Sequence, residues 1–381
     1  MVLNKKIIFI STVPLALKPI EKIIGKLKDK NNIILITNTS DPENEFLEIL
    51  PKDVQIINSS MKRDINILND LKTLSLLLYY LWREKPNMVF TISPKAGLLG
   101  ILASKIMLVP IRIHAYTGQV WQTKNGLQRH LLRFLDKIIY VFSSKVLIDS
   151  ASQKDFLISN NVIKEKKSNV LGNGSISGVD FDRFFPNADE RQKLRNNNNI
   201  SNEDIVFLFA GRINKDKGII ELIKSFNNVH EVCKNTFLWL LGHPEIEINK
   251  LKELINDEAV NSIRFFPYSN SPESFMAAAD IFCLPSYREG FGAAVIESAA
   301  CGIPTIGTKI YGLTDAIIDG ETGILVKVQD INSLTEAMLT LVKNKEMRFK
   351  LGNQAMLRAK KVFNQEVVIS KILNFLEAEL E

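Results

Sequence analysis

Two carboxylates and two glycines follow one short apolar run of the chain. Glu289 stands immediately before Gly290, Gly292 comes two positions after that, and Glu297 lies eight positions beyond Glu289. Glycines let the backbone approach a ligand closely, and the N–H groups at the start of a following helix suit a phosphate. A carboxylate is a poor phosphate ligand but a good acceptor for sugar hydroxyls, like the ribose-binding acid of dinucleotide folds. A phosphate site between two such carboxylates predicts a nucleotide-sugar ligand.

Each carboxylate taken alone also has a structural explanation. Glu289 can cap the helix, and Glu297 can be a solvated position on it. We favour ligand binding because both acids accompany the Gly-x-Gly spacing and a preceding apolar strand.

Two cations flank another predicted turn between a strand and a helix. Arg212 and Lys217 lie between the apolar strand 205–210 and the helix 219–232. Two cations in such a turn suit a diphosphate, whose negative charge grows as the sugar leaves. The alternative is a surface turn with two exposed cations. The presence of Glu289 and Glu297 in the same half of the chain makes that alternative weaker.

The hydrophobic pattern predicts the elements that position these side chains. The apolar run 280–285 predicts a buried strand, residues 293–300 a helix, and residues 305–307 a second strand. Gly302 and Pro304 end the helix. These elements form a βαβ unit, whose ligand site is expected beyond the carboxyl end of its first strand. The same alternation in both halves predicts two doubly wound α/β domains.

Length and composition indicate a folded protein of two domains. The chain has 381 residues, of which 46% are hydrophobic, and this length exceeds what one hydrophobic core usually serves. Its three cysteines lack metal or redox spacing and are expected to be buried thiols. No apolar stretch predicts a membrane-spanning helix, and we expect no signal peptide.

Charge is distributed unevenly along the chain. Residues 1–172 hold 25 Lys and Arg against 14 Asp and Glu, a net charge of +11, whereas the remainder carries −5. A basic half suggests an anionic partner, namely nucleic acid, a membrane surface or a phosphorylated acceptor. A coding bias toward Lys and Asn is the alternative, and the run of four asparagines at 196–199 supports it.

Two predicted helices of the basic half have membrane contact as an alternative. Arg129, Arg133 and Lys137 recur every four residues, which predicts one basic face of an amphipathic helix. A solvated face and a membrane-facing face both fit that pattern. The helix 64–83 contains the apolar run 74–82, which we interpret as core, with contact between its aromatic residues and lipid as the alternative.

The stretch from Glu289 to Glu297 resembles the E-x7-E motif of retaining glycosyltransferases of family 4, which have the GT-B fold. Arg212 and Lys217, each beside a glycine, are similar to the family's Gly-Arg and Lys-Gly motif. The resemblance implies an α/β protein with two Rossmann-like domains facing a central cleft. It divides the chain into an acceptor-binding domain (1–172), an inter-domain linker (173–203), a nucleotide-sugar-binding domain (204–362) and a C-terminal helix that packs back on the first domain (363–381).

The resemblance also implies an activity. Such an enzyme moves a sugar from a nucleotide diphosphate-sugar, here a UDP-linked hexose or N-acetylhexosamine, to a hydroxyl of a polyprenyl-diphosphate-linked saccharide, with retention of configuration. It acts in the assembly of bacterial O-antigen or capsule. We expect no cofactor and no metal, no nucleic-acid partner, and a cytoplasmic location with peripheral binding to the anionic cytoplasmic face of the inner membrane.

Site residues follow from the same resemblance. The donor-binding residues are expected to be Gly211, Arg212, Lys217, Pro267, Tyr268, Glu289, Gly290, Phe291, Gly292 and Glu297. Glu289 is expected to bind the transferred sugar and act in catalysis, and Glu297 to bind the ribose. In the loop after strand 111–114, either His114 or Thr117 takes the family's catalytic role. Pro14 and Gly118 are expected to contact the acceptor.

Other functions remain open at this point. A sugar-nucleotide epimerase shares the GT-B architecture, and a catalytically silent GT-B partner subunit is the non-enzyme alternative, although the intact cations and carboxylates argue against it. A nucleic-acid-binding protein would need stacking platforms on a sheet face, which the sequence does not indicate. Asp180 and Asp182 form an Asp-x-Asp, but they lie in a predicted turn, where we interpret them as capping and turn residues and not as a metal site.

Overall fold

A computed structural model of the chain describes residues 4–40, 47–48, 50–51 and 53–381. Contacts within the chain separate these residues into two units. The first unit consists of the described residues up to Ser177 together with Glu366–Glu381, and the second unit is Gly178–Gln365.

The first unit is built on a parallel sheet of seven strands in the order β3-β2-β1-β4-β5-β6-β7. The strands are β1 (Lys6–Ser11), β2 (Asn32–Thr37), β3 (Gln55–Asn58), β4 (Met88–Ile92), β5 (Ile111–Tyr116), β6 (Lys145–Ile148) and β7 (Ser168–Asn169). The central strands are rich in apolar residues because both faces of a parallel sheet are covered. Phe9 of β1, for example, pairs with Leu35 on one side and Phe90 on the other.

Helices cover both faces of this sheet. They are α1 (Glu21–Lys28), α2 (Ile67–Glu84), α3 (Pro94–Ile106), α4 (Gly126–Phe142) and α5 (Ala151–Ser159). Ile7 and Phe9 point into the cluster that contains α1, whereas Ile8 and Ile10 point into the cluster that contains α2 and α3. This alternation follows from the two-residue period of a strand. On the second face α3 packs between α2 and α4.

The second unit contains a parallel sheet of six strands in the order β10-β9-β8-β11-β12-β13. The strands are β8 (Ile205–Ala210), β9 (Thr236–Leu241), β10 (Ile263–Phe266), β11 (Ile281–Leu284), β12 (Thr305–Thr308) and β13 (Gly323–Val326). The remaining helices of the chain are α6 (Ala188–Asn197), α7 (Ile219–Val232), α8 (Ile248–Lys252), α9 (Pro272–Ala278), α10 (Ala293–Ala300), α11 (Leu313–Ala316), α12 (Ile331–Lys343), α13 (Lys345–Val362) and α14 (Gln365–Leu380).

Helix α6 lies in the segment for which the sequence predicts a linker, and the structure counts it with the second unit. Arg195 anchors it, because its fully buried guanidinium donates to the carbonyl oxygen of Ala278 at 2.9 Å and to Asp280 Oδ2 at 3.1 Å. Arg191, one turn earlier, donates to Asp280 Oδ1 at 2.7 Å. Two cations on one carboxylate therefore hold a polar helix against the unit.

Helix α14 belongs to the first unit although α13 belongs to the second. Its apolar side chains, Val368, Ile369, Ile372, Leu376 and Leu380, are buried in the cluster that also contains Ile7 and Phe9. Ion pairs from Lys26 to Glu366 at 2.7 Å and from Lys145 to Glu379 at 2.6 Å reinforce this packing. The core of the first unit therefore includes residues from beyond the second unit.

Both sheets reverse their strand order at one point, between β1 and β4 in the first unit and between β8 and β11 in the second. At such a switch point the loops after the two strands separate, and ligands of open α/β sheets bind there, outside the carboxyl ends of the strands. Among the described residues, no helix has the length and hydropathy needed to cross a membrane.

Candidate active site

The loops after β8 and β11 meet at the switch point of the second sheet. Lys217, in the loop after β8, forms an ion pair with Glu289 Oε1, in the loop after β11. Ser286 Oγ donates to the same oxygen at 2.8 Å. Only 19% of the Lys217 side chain and 12% of the Glu289 side chain are exposed, so solvent screens this pair less than a surface pair. The structure thus brings together one predicted diphosphate cation and one predicted sugar-binding carboxylate.

Backbone contacts hold these two loops in register. Gly218 has φ +70°, and a Cβ there would fall 2.1 Å from the carbonyl oxygen of Pro285, so this position needs glycine. The N–H of Tyr287 donates to the carbonyl oxygen of Asp216 at 2.7 Å, and Arg288 Nε donates to Asp216 Oδ2 at 2.8 Å. Contacts between the two loops therefore determine the positions of Lys217 and Glu289.

Arg212 has a carboxylate partner that the sequence did not indicate. Its Nη1 lies 2.7 Å from Glu245 Oε1, in the loop after β9, and Asn214 Nδ2 donates to Glu245 Oε2 at 2.6 Å. Asn214 Oδ1 also accepts from the N–H of Lys217 at 3.1 Å. This pair is exposed, with 46% of the Arg212 side chain and 33% of the Glu245 side chain accessible. Glu245 belongs to no motif, so only its position after a strand gave a signal.

Helix α10 begins beside Glu289. Gly292 has φ +88° and forms the N-cap, and Phe291 before it is buried with its ring 5.1 Å from that of Phe363. The glycine loop therefore leads directly into the first N–H groups of α10, as the anion-site prediction requires. Gly290 is buried and Glu297 is half-buried inside the helix.

Three further predicted donor residues lie along the same edge of the sheet. Gly211 follows β8 directly and is exposed. Pro267 and Tyr268 follow β10, and 52% of Tyr268 is exposed. Strand β9 separates β10 from β8, so these two residues lie two strands away from the Lys217–Glu289 pair.

Hydroxyl groups connect the loops at the switch point of the first sheet. Thr12, after β1, shares a hydrogen bond of 2.7 Å with the hydroxyl of Ser93, after β4, and its N–H donates to the same hydroxyl at 3.2 Å. Ser11 Oγ donates to Thr37 Oγ1 at 2.9 Å. Pro14 is buried next to these residues. Hydroxyl groups therefore connect the loops that an ion pair connects in the second unit.

The structure separates His114 from Thr117. His114 lies within β5, is 2% exposed, and its Nδ1 is hydrogen-bonded to Thr91 Oγ1 at 2.8 Å. Burial lowers the pKa of His114 to about 3, so the imidazole is neutral at physiological pH. Thr117 is the first residue after β5 and is exposed, and Gly118 follows it. Of the two residues, Thr117 is the one at the carboxyl end of the strand.

A buried carboxylate supports the loop after β5, and the sequence did not indicate it. Trp121 in that loop is buried, and its Nε1 donates to Asp136 Oδ2 of α4 at 2.7 Å. Tyr116 donates from its hydroxyl to the carbonyl oxygen of Asp136 at 2.6 Å. Burial raises the pKa of Asp136 to about 7. The only indication in the sequence was that Asp136 is an acidic residue among the apolar residues of α4.

The Asp-x-Asp sequence forms a turn. The N–H of Asp182 donates to Asp180 Oδ1 at 3.1 Å, which is the hydrogen bond of an Asx-turn. Throughout the part of the chain that the structure describes, no three His, Cys, Asp or Glu side chains gather as a group suited to a metal ion.

Two doubly wound α/β units, the second with cations and carboxylates at its switch point, define the GT-B class, and comparison with solved structures agrees. HepE from Anabaena, crystallised with UDP and glucose, superposes with a TM-score of 0.82 at 16% identity, over 98% of this chain and 100% of that one. The predicted fold class is confirmed.

Sequence comparison identifies the family. Residues 190–358, which include both predicted cations and both carboxylates, match the family described as glycosyl transferases group 1. The capsular polysaccharide biosynthesis glycosyltransferase CapM of Staphylococcus aureus is 31% identical over 96% of this chain and 95% of that protein. An Escherichia coli relative, UDP-Gal:alpha-D-GlcNAc-diphosphoundecaprenol alpha-1,3-galactosyltransferase, is 23% identical over 84% of this chain and 83% of that protein. The chain belongs to the group 1 glycosyltransferases, and the predicted resemblance to family 4 is confirmed.

Proposed function

We propose that this glycosyltransferase transfers a sugar, with retention, from a UDP-linked hexose or N-acetylhexosamine to a hydroxyl of a polyprenyl-diphosphate-linked saccharide. The observation that carries the proposal is the Lys217–Glu289 pair at the switch point of the second sheet. It combines a cation for phosphate with a carboxylate for sugar hydroxyls. The names of the relatives support the substrate classes, because one names a UDP-galactose donor and a diphosphoundecaprenol acceptor and another acts in capsule synthesis.

The diphosphate binds between Arg212, Lys217 and the first N–H groups of α10 in this proposal. The backbone of the loops that carry Lys217 and begin α10 is fixed before the donor arrives, since the Gly218 and Gly292 turns hold it. Preorganised donors stabilise the charge that develops on the leaving phosphate without a metal ion. The leaving phosphate then accepts the proton of the acceptor hydroxyl.

The carboxylates divide the hydroxyl groups of the donor between them. Glu289 lies in the loop beside Gly290 and Gly292, where the transferred sugar is placed, and Glu297 accepts from the ribose diol. Tyr268, half of which is exposed at the same edge of the sheet, stacks on or flanks the base together with Pro267. This division assigns a separate part of the donor to Glu289, to Glu297 and to the pair of Pro267 and Tyr268.

The acceptor binds to the first unit, near Pro14, Thr117 and Gly118. The groups at this edge are hydroxyls and backbone amides, which suit the hydroxyls of a saccharide. Thr117 contacts the reacting part of the acceptor, because it is exposed at the end of β5. His114 lies within β5 as a neutral side chain, and its hydrogen bond to Thr91 of β4 stabilises the strand that ends just before Thr117.

An anionic membrane surface is the proposed second partner of the first unit. Helix α4 exposes an apolar stripe, and Lys137 is exposed alongside it. The residues of the stripe are Leu127, Leu131, Phe134 and Val141. Helix α2, in the same helical layer, exposes Leu71, Tyr79 and Trp82. Apolar side chains with flanking cations bind the interface of an anionic bilayer, which supports peripheral binding to the cytoplasmic face of the inner membrane.

Mass spectrometry of the purified protein with a panel of UDP-sugars, with and without a lipid-linked acceptor extract, tests this function. The expected product is a lipid-linked saccharide one sugar longer, formed only when donor and acceptor are both present. Conversion of a UDP-sugar to its epimer without acceptor, which leaves the mass unchanged and is detected by proton NMR of the same reaction, would identify an epimerase instead. Neither reaction, despite binding of UDP, would identify a silent partner subunit.

A further inference from the structure

Both cations proposed to bind the diphosphate already have carboxylate partners within the protein. Lys217 is paired with Glu289, and Arg212 is paired with Glu245. The two pairs differ in exposure, since the first is largely buried and the second is open to solvent. They differ also in function, because Glu289 is itself proposed to bind the donor whereas Glu245 is not.

A single oxygen of Glu289 takes part in both of its side-chain contacts at this site. Oε1 accepts from Lys217 and from the hydroxyl of Ser286. The Ser286 carbonyl oxygen in turn accepts from the hydroxyl of Thr308 on β12, which ties the loop after β11 to the next strand. Glu289 is therefore held in a position where its charge is balanced by Lys217, at the place where the diphosphate is proposed to bind.

We propose that Glu289 and the diphosphate compete for Lys217, so that donor binding moves Lys217 from the carboxylate to the phosphate and releases Glu289 to bind sugar hydroxyls. The inference rests on the proposed function of this site. It assigns Glu289 a further role in product release. After transfer the reverse exchange returns Lys217 to Glu289, and the nucleoside diphosphate product is then bound less tightly.

Charge accounts for the difference between donor and product. A bound donor brings sugar hydroxyls that donate to Glu289 and replace the hydrogen bonds it loses. Bound UDP brings no sugar, so it leaves a carboxylate without its cation close to a diphosphate, and like charges at short range repel. Glu289 thus favours the sugar-bearing nucleotide over the product that must leave.

The Arg212–Glu245 pair undergoes the same exchange with a smaller effect. Exposed ion pairs contribute little because solvent and salt screen them. Glu245 also keeps its bond from Asn214 Nδ2 when Arg212 moves. Glu245→Gln should therefore change the affinity for UDP by no more than about twofold.

Calorimetric titration of UDP into the wild-type protein and the Glu289→Gln variant tests the exchange. We expect UDP to bind the variant about fivefold to tenfold more tightly, because the repelling charge is gone, and UDP to inhibit the variant more strongly as a product. UDP-glucose, titrated in parallel, should gain less or lose affinity. Glu289→Asp, which keeps the negative charge, should bind UDP nearly as weakly as the wild-type protein does.

Glu273→Gln is the matched control, because Glu273 forms a comparable pair with Arg183 at 2.8 Å elsewhere in the second unit. It should leave the affinity for UDP unchanged. Equal or weaker binding of UDP to Glu289→Gln, in a variant whose thermal unfolding matches the wild type, would overturn the exchange. If wild-type protein binds no UDP, the proposed donor site itself is wrong, which is a distinct result.

Discussion

The two switch points of this protein have the same topology and different chemistry. In the first unit the loops after β1 and β4 are joined by the hydroxyls of Thr12 and Ser93. In the second unit the loops after β8 and β11 are joined by the ion pair of Lys217 and Glu289. The strand order around both points is the same, so the fold provides the location and the loop side chains provide the chemistry.

Under the proposed function, this difference explains how one architecture can receive two unlike substrates. Charged groups at the second edge match a diphosphate, whereas neutral hydroxyls at the first edge match the hydroxyl groups of a saccharide. His114, which lies within β5 of the same sheet, is kept neutral by burial. Changes that add charge to the first edge or remove charge from the second edge should therefore have the largest effects on stability and activity.

Removal of Lys217 should have the largest effect. Lys217→Ala should lower turnover at least about a hundredfold, the usual scale for losing one preorganised donor to transition-state charge. Arg212→Ala should act in the same direction. Steady-state kinetics measure the loss, and Lys215→Ala, which removes an exposed cation from the same turn, is the control and should stay close to wild type. Activity should persist in EDTA, and strict dependence on Mg²⁺ or Mn²⁺ would contradict the proposal that the site works without a metal ion.

Acid should destabilise the first unit, because the buried neutral imidazole of His114 takes up a proton only when the protein unfolds. The pKa of His114 is about 3 in the folded protein against 6.5 for an ordinary histidine, so its contribution to stability is present above pH 6.5 and is lost as the pH falls toward 3. By pH 4.5 the loss amounts to about 3 kcal/mol. Asp136, whose pKa is raised to about 7, acts in the opposite direction, since its contribution is present below its ordinary pKa of 3.8 and is lost as the pH rises through 7.

Urea unfolding between pH 7 and pH 4.5 separates these two contributions. His114→Gln should be less stable than the wild type at pH 7, but it should lose less of its own stability on acidification. An identical pH dependence in both proteins would show that the imidazole is not the group that senses acid.

The two carboxylates of the charged edge should give separable kinetic effects. Glu289→Gln should mainly lower kcat, by about tenfold or more, because its contact with the sugar strengthens as positive charge develops at the anomeric carbon. Glu297→Gln should mainly raise the donor KM, by about tenfold, because the ribose contact is equal in the ground and transition states. The same kinetic pattern in both variants would refute the assignment of one acid to the sugar and the other to the ribose.

Membrane binding should show the smallest effect of a single substitution. The first unit should bind anionic vesicles reversibly and less tightly as salt increases. Lys137→Ala should weaken this binding about fivefold, since one cation near an anionic surface contributes about 1 kcal/mol. Lys250→Ala, an exposed cation of the second unit, should have no effect in co-sedimentation. Equal binding to neutral and anionic vesicles would remove the electrostatic part of the proposal.

Much of the fold could be predicted because parallel strands leave long apolar runs. Strand β8 and helix α7 have the bounds that the pattern predicts. Helix α6 could not be recognised, since its sequence is polar and rich in Asn and its place depends on Arg195 reaching Asp280. Helix α2 was interpreted as core, yet Tyr79 and Trp82 are exposed, because an apolar run does not tell which of its faces is covered.

The site could be predicted only where a motif marks it. Arg212, Lys217, Glu289 and Glu297 stand in recognisable patterns, and the structure brings Lys217 and Glu289 into contact. Glu245 and Asp136 lie in no motif. Glu245 pairs with Arg212, 33 residues away in the sequence, and Asp136 pairs with Trp121, 15 residues away. Pairings of that kind arise from the folded arrangement and leave no local trace.

Helix α14 has a consequence for the order in which the chain is completed on the ribosome. The first unit would ordinarily fold first, as amino-terminal domains do during synthesis, but its core includes Val368, Ile372 and Leu376. All of Gly178–Gln365 must be translated before those side chains exist, so the second unit can close its core earlier than the first. Throughout that interval the surface of α1 that α14 covers remains exposed to water, and a nascent chain in this condition is a natural client for a chaperone that binds apolar segments.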